Sequence, residues 1–195
     1  MISVTTDSIP IRERAEFWAD LVSRHVTPVQ IEPAGKRPLR GEIHARVIGN
    51  VGVAQVSGLG VQAVHTRAHI ARARDHLYGA CVHLDGEARI SRRGETFALR
   101  RGDIFITDSR HEFTLDLQRP WRHLLITLPT RWLDSRVARP EVLAGAVVRD
   151  HPLGRLWVRH LAAGFGLAGE LSSTGATLFA RHSLELLATA RRGAP

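Results

Sequence analysis

The chain is poor in cysteine, in lysine and in long apolar runs, and two of these shortages exclude whole classes of protein. It contains one cysteine, Cys81, in 195 residues, which excludes an intramolecular disulfide and a cysteine-rich metal site. No apolar run approaches the ~18 residues of a transmembrane helix. The first fourteen residues have neither the basic start nor the apolar stretch of a signal peptide. We therefore expect a cytoplasmic protein without a membrane partner.

Positive charge is in excess, and almost all of it comes from arginine. The formal net charge is +8, and Lys36 is the one lysine among the 27 basic residues. Guanidinium groups are suited to phosphate recognition, but these arginines are scattered beside turns and do not follow one helix face. The charge therefore indicates no nucleic-acid stripe in this chain, and net charge alone identifies no partner.

Helical and strand patterns divide the chain into three parts. Residues 1–30 predict one helix, between about 8 and 25, and a lead-in. Residues 31–129 contain eight or nine short strand patterns separated by glycine-containing turns, which is typical of an antiparallel sandwich or barrel. Residues 130–195 predict a short helix over 130–137, two longer helices and a terminal linker. The fold class is therefore α+β, with helices gathered at one end of an antiparallel barrel.

Alternation assigns the strand residues to two faces. Tyr78, Ala80 and Val82 share one face of their strand, and Cys81 lies on the other. We assign the face of Tyr78 to the barrel interior, and we expect Cys81 to be a buried packing residue and not a catalytic thiol. The same alternation assigns four further residues to the interior, namely Phe113, Leu115, Leu124 and Ile126.

Several features of the chain follow one another in a recognisable order. They are an opening helix with Arg14, Phe17 and Trp18, a strand start at 41–43, a strand end at 65–67, a long strand at 77–84, a turn at 99–104, Pro120 with the strand 124–129, and two terminal helices. In this order they resemble the cupin-like ligand-binding N-terminal domain of AraC/XylS-type transcription regulators. The resemblance covers most of residues 10–190 and implies a jelly-roll barrel.

The resemblance also implies a function and partners. Domains of this type bind a small molecule or dimerise, and they control a separate domain that carries two helix-turn-helix units. We therefore expect an effector-sensing domain that forms a homodimer and reaches promoter DNA only through a domain absent from these 195 residues. In the resembled family the terminal helices commonly carry the dimer contact, which here places it on Trp157, Leu161, Leu178, Phe179 and Leu186.

The barrel interior is the place where we expect the effector. Small-ligand sites are concave and mostly apolar with a few placed polar groups, and barrel mouths are a usual location. Tyr78, the one tyrosine of the chain, has a large ring with a polar handle. We predict that it contacts an apolar effector of unknown identity together with His65, His111 or Trp121.

The sequence predicts no enzyme activity and no cofactor. It contains no His-x-His pair, which is the first motif of metal-binding cupins, and no Gly-x-Ser-x-Gly elbow. His111 stands where the distant metal ligand of such cupins is expected, but Ile106, Asp108 and Leu115 replace the proline, glycine and asparagine that accompany it. The alternative function is that of a stand-alone small cupin enzyme whose metal is bound through His111 and other histidines.

A third alternative is direct DNA binding by the two terminal helices. Their order loosely resembles a helix-turn-helix, in which a turn of a few residues precedes an unbroken recognition helix. The link between 164 and 174 is longer than such a turn and contains three glycines. The pattern therefore favours packing of both helices on the sheet and on a second subunit.

Overall fold

Two antiparallel sheets form the body of the chain in the computed structural model, which describes residues 1–135 and 147–192. Their strands are β1 (Ile2–Thr5), β2 (Gln30–Pro33), β3 (Arg40–Ile48), β4 (Val51–Leu59), β5 (Val61–His65), β6 (Leu77–Gly86), β7 (Ala88–Arg92), β8 (Glu95–Leu99), β9 (Ile104–Asp108), β10 (Phe113–Leu117), β11 (Trp121–Pro129) and β12 (Val147–Val148). The strands predicted between 41 and 128 are confirmed.

The strand order is that of a jelly roll. The larger sheet has the order β1-β3-β4-β11-β6-β9-β12 and the smaller one has the order β2-β5-β10-β7-β8. Leu125 of β11 faces Ala54 of β4 on one side and Cys81 of β6 on the other. Strands that are distant in sequence are therefore neighbours, and the predicted α+β class with a cupin-like barrel is confirmed.

The two longest helices lie at the C-terminal end of the described chain. In the described part of the chain the helices are a 3₁₀ turn (Ile11–Glu13), α1 (Arg14–His25), α2 (Arg67–Arg72), α3 (Thr130–Asp134), α4 (Pro152–Leu167) and α5 (Ser173–Arg192). The first predicted helix is confirmed, although it begins after the 3₁₀ turn. The predicted end of the helix over 130–137 and the predicted linker at 193–195 lie outside the described residues.

The larger sheet is buried on both faces, which corrects the assignment of the barrel interior. Tyr78, Ala80, Val82, Leu124 and Ile126 pack with residues of α4 and α5 in one core cluster. Cys81, Phe105 and Leu125 lie in the other cluster, between the two sheets. Both faces of these strands are apolar, so alternation separates the faces but does not identify the interior one. The assignment was wrong for the first five residues and right for Phe113 and Leu115.

The terminal helices pack closely on the sheet and on each other. Helix α4 continues through Gly164, where a Cβ would lie 1.9 Å from Cε2 of Phe179. The absence of a side chain therefore lets the Phe179 ring press against α4. Trp157 and Leu161 are fully buried in the chain's own core, and the Trp157 Nε1 donates to the Ser183 carbonyl oxygen at 2.9 Å. Trp157 and Leu161 have no surface left for a second subunit and Phe179 is only 6% exposed, which corrects the predicted dimer contact at these three residues.

Candidate ligand cavity

A cavity of about 80 Å³ lies between the two sheets and is covered by α1. Its walls come from α1 and the segment after it, from β2, β4 and β5, and from the interior faces of β6, β9, β10 and β11. The residues that matter for its chemistry are Trp18, Val22, Val26, Thr27, Ala63, Cys81, Phe105, Phe113, Trp121, His123 and Leu125. No aspartate, glutamate, arginine or lysine is among the described residues that line it.

Glycines let two large rings reach the cavity. A Cβ at Gly41 would lie 2.7 Å from Cδ2 of the Trp18 ring, so the bare backbone of β3 is what allows this ring to lie against it. Trp121 begins β11 and pairs with Gly58 of β4 and Gly86 of β6. Gly86 has φ +92°, and a Cβ there would lie 1.9 Å from the Pro120 carbonyl oxygen. The bare backbone of Gly86 therefore leaves room for the Pro120 carbonyl, which immediately precedes Trp121 at the start of β11.

Two polar atoms of the cavity wall have no hydrogen-bond partner. Trp121 Nε1 and Thr27 Oγ1 are buried, and neither has a partner in the part of the chain that the structure describes. A buried donor or acceptor left unpaired costs about 1–3 kcal/mol, and buried polar groups are nearly always paired. A molecule bound against either atom would therefore gain a hydrogen bond that the fold itself does not supply.

A pair of buried histidines adjoins these atoms. His123 Nε2 lies 3.0 Å from His83 Nδ1, and His83 Nε2 lies 3.1 Å from the Gly86 carbonyl oxygen. Burial, and secondarily the neighbouring His83, lowers the pKa of His123 to about 3. The His123 ring is therefore neutral near pH 7. Its centroid lies 4.8 Å from that of Trp121, so the two polar side chains are in contact in one corner of the cavity.

The structure separates the four residues predicted to bind the effector. Trp121 lines the cavity. His65 is buried beside the cavity, but both of its ring nitrogens are already hydrogen-bonded to the backbone. Its Nδ1 lies 2.6 Å from the Pro28 carbonyl oxygen, and its Nε2 lies 2.9 Å from the Ser109 carbonyl oxygen. His111 lies outside the cavity, with its Nε2 3.3 Å from Arg93 Nη2.

Tyr78 lies on the opposite face of β6, away from the cavity. Its hydroxyl donates to Asp134 Oδ1 at 3.2 Å and contacts the Arg110 guanidinium, which is paired with Asp108 and Asp134. Burial, together with the Asp108 charge, raises the pKa of Tyr78. The network joins the barrel to α3, and the structure does not bring Tyr78 together with Trp121.

Sequence reasoning missed His123, Thr27 and the cavity-facing side of Cys81. A signal for His123 was available, because it stands two residues after Trp121 and alternation places both on one face of β11. Thr27 had no such signal, since it lies in the segment between α1 and β2.

The histidines of the described residues do not assemble a metal centre. No group of three or more histidine, cysteine, aspartate or glutamate side chains in residues 1–135 and 147–192 could hold a metal ion. His83 and His123 supply only two rings, and their hydrogen bond to each other occupies one nitrogen of each. The donor set therefore does not fit the metal of the cupin enzymes. No helix of the described chain is long and apolar enough to cross a membrane.

Comparison with known proteins gives concordant results. The AraC-binding-like domain family matches residues 18–190. The transcriptional activator NphR from Rhodococcus sp is 24% identical over 202 residues, which cover 97% of this chain and 58% of that protein. The crystal structure of the AraC-like transcriptional activator CuxR superposes with a TM-score of 0.85 at 10% identity, covering 99% of this chain and 70% of that one. The chain thus spans 58% of the length of NphR and has the fold of the matching part of CuxR.

Proposed function

This chain belongs to the AraC-binding-like domain family, and from that membership we propose that it is the effector-binding, regulatory part of a cytoplasmic transcription regulator. Both proteins compared above are named as transcriptional activators, and each is longer than the region it shares with this chain. Promoter DNA would be bound by a separate domain. The parent gene tests this point: we expect its reading frame to continue past Pro195 into two helix-turn-helix units, whereas a stop codon there would contradict it.

The observation that carries the proposal is the apolar cavity between the two sheets, with the unpaired Trp121 Nε1 in its wall. Apolar walls with a few polar atoms are typical of a small-molecule site, so the effector would be small and largely apolar. The cavity volume of about 80 Å³ is roughly half that of the 150 Å³ engineered cavity that binds benzene. A ring-sized effector would therefore need the wall to move outward.

Helix α1 is the part of the wall best able to move. Val22 of α1 and Val26 just after it line the cavity but are only partly buried, whereas the sheet residues behind the cavity are fixed by ladders on both sides. A ligand can shift a conformational equilibrium only if it binds the two states with different affinity. The movement of α1 would supply that difference and so would link occupancy of the cavity to the rest of the regulator.

Thermal unfolding with and without toluene tests the cavity as the binding site. Toluene should raise the midpoint of the wild-type chain, because a ligand that binds only the folded state stabilises it. Ala63→Leu fills the cavity from β5 and should abolish the shift, whereas Ala163→Leu adds the same atoms to the exposed face of α4 and should preserve it. An undiminished shift in Ala63→Leu would contradict this location.

The proposal includes the absence of enzyme activity. The described histidines form no convergent metal group, and the Cys81 thiol, whose pKa is raised by burial, is a poor nucleophile. Elemental analysis of the purified protein distinguishes the two functions. We expect less than stoichiometric metal, and stoichiometric iron, manganese, nickel or zinc would favour the cupin enzyme.

A second copy of this chain is the partner proposed for the outer face of α4 and α5. Leu156 and Leu178 are 50% and 40% exposed there, and a groove between the helices is lined by Leu153, Leu156 and Leu186. This face retains Leu178 and Leu186 of the predicted contact. In sedimentation we expect a dimer that Leu156→Arg dissociates and Val47→Arg, on an exposed strand position, does not. A monomeric wild type at high micromolar concentration would contradict the proposal.

A further inference from the structure

We propose that the cavity recognises an uncharged hydroxyl group on its ligand, with Trp121 Nε1 as the donor to the hydroxyl oxygen and His123 Nδ1 as the acceptor of its proton. This inference rests on the proposed function, because it specifies the polar end of the effector that the cavity would bind. It follows from the hydrogen bonds of the histidine pair and from the unpaired indole.

The donor is the indole nitrogen of Trp121. An indole N–H can only donate a hydrogen bond, so the bound molecule must present an acceptor to it. Trp121 is 6% exposed and its Nε1 has no partner among the described residues. Thr27 Oγ1, which also lacks a partner on the described chain, lies in the same cavity wall. An apolar molecule would leave both atoms without a hydrogen bond, and the free-energy cost of burying them unpaired would remain.

The acceptor follows from the tautomers of the two histidines. The Gly86 carbonyl oxygen can only accept, so His83 Nε2 carries the proton of that ring. In the neutral ring His83 Nδ1 then has the lone pair, and His123 Nε2 must be the donor across the 3.0 Å between them. His123 Nδ1 is left as the acceptor nitrogen of the second ring.

The pair of a donor and an acceptor matches a hydroxyl better than a carbonyl or a charged group. A hydroxyl both accepts and donates through one oxygen, and the two rings that would receive it lie in contact, with centroids 4.8 Å apart. A carbonyl would leave the His123 lone pair unused. A carboxylate or an ammonium group would be a buried charge, and none of the described lining residues has an opposite charge to pair with it.

Titration calorimetry with phenol, toluene and benzoate on the full chain tests the inference. Phenol and toluene have the same size, so the cost of widening the cavity is common to both. We expect phenol to bind about tenfold more tightly than toluene, which is the effect of roughly one net hydrogen bond, and benzoate not to bind. The ratio of the phenol affinity to the toluene affinity of the wild-type chain tests hydroxyl recognition without any substitution.

Substitutions test whether the Trp121 indole is responsible for the preference for phenol over toluene. Trp121→Phe should lower the ratio of phenol affinity to toluene affinity severalfold, because it removes the donor to the hydroxyl, whereas the enlargement of the cavity acts on both ligands alike. The matched control Trp132→Phe, which lies in α3 outside the cavity wall, should leave both affinities as they are.

Failure of the inference and failure of the proposed function give different results. Equal binding of phenol and toluene, unaltered by Trp121→Phe, would overturn hydroxyl recognition and leave the cavity as an apolar effector site. Benzoate binding as tight as that of phenol would overturn recognition of an uncharged group. If neither phenol nor toluene binds at millimolar concentration, the cavity is not the effector site and both proposals fall.

Discussion

His123 on β11 and His83 on β6 share a hydrogen bond inside the larger sheet, with 3.0 Å between His123 Nε2 and His83 Nδ1. The register of the two strands shifts between Arg122 and His123, which brings His123 opposite His83. Both rings are buried, and His123 is only 3% exposed. This buried pair, in which the His123 ring is neutral near pH 7, connects the stability of the barrel, its dependence on pH and the chemistry of the cavity.

The stability of the chain should fall as the pH drops from 7 to 5. In the unfolded chain His123 takes up a proton near pH 6.5, whereas in the folded chain burial and His83 keep its pKa at about 3. The unfolded state therefore binds more protons between these values, and the contribution of the neutral ring to stability is lost as the pH falls through this window. For His123 alone the loss between pH 7 and pH 5 is about 2 kcal/mol, measured by urea unfolding.

A variant separates this contribution from those of the other histidines. His123→Gln keeps an N–H that can donate to His83 and removes the titrating ring, so its stability should fall by about 2 kcal/mol less over the same pH range. His182→Gln, at an exposed position of α5, should leave the pH dependence as it is. The same pH dependence in His123→Gln and the wild type would contradict a neutral, buried His123 ring.

Loss of the Arg110 guanidinium should destabilise the fold far more than loss of the Tyr78 hydroxyl. The Asp108 side chain is fully buried and pairs with Arg110 at 2.8 Å, so Arg110→Ala leaves an uncompensated buried charge and should cost about 3 kcal/mol. Tyr78→Phe removes only a hydrogen-bonded hydroxyl and should cost about 1 kcal/mol. Chemical unfolding measures both changes, and equal costs would contradict the structural role assigned to Arg110.

Tyr78→Phe also tests the corrected position of Tyr78. Because the structure places this side chain on the helix-facing side of β6, the substitution should leave the affinity for phenol unchanged. A clear loss of affinity in a stably folded Tyr78→Phe chain would restore the prediction made from the sequence.

Cys81 should report on the opening of the cavity. It is the one cysteine of the chain, it lines the cavity and burial raises the pKa of its thiol. Iodoacetamide should therefore react at least about 100-fold more slowly with Cys81 than with a thiol introduced by Val47→Cys at an exposed position, since reaction requires a local opening of several kcal/mol. Equal rates at the two positions would show that the cavity is open to solvent.

The fold was largely predictable from the sequence. Which face of each strand lies inside the barrel was not. Short alternating strands with glycine turns were sufficient for the barrel, and β11 with its alternating Leu124, Ile126 and Leu128 is an example. The same alternation placed Tyr78 inside the barrel, because both faces of the larger sheet are apolar and covered. Strands β1 and β2, of four residues each, were too short to give a pattern.

The candidate site was predictable only in part. Trp121 was predicted and lines the cavity, and its role in binding an effector stays a prediction. The apolar stripe of Trp157 and Leu161 was read as a surface for a second subunit, but the sheet covers it. A helical stripe shows that one face is buried and does not show whether the chain itself or a partner buries it.

The indole N–H signals of a ¹⁵N-labelled chain, titrated with phenol, test the central claim most directly. Trp121 Nε1 has no partner in the described chain, whereas Trp157 Nε1 already donates to the Ser183 carbonyl oxygen. We predict that phenol moves the Trp121 signal downfield as a new hydrogen bond forms and leaves the Trp157 signal in place, with Trp121→Phe identifying the first signal. Saturable binding of phenol without a change in the Trp121 signal would contradict the claim that this cavity recognises its ligand through that indole.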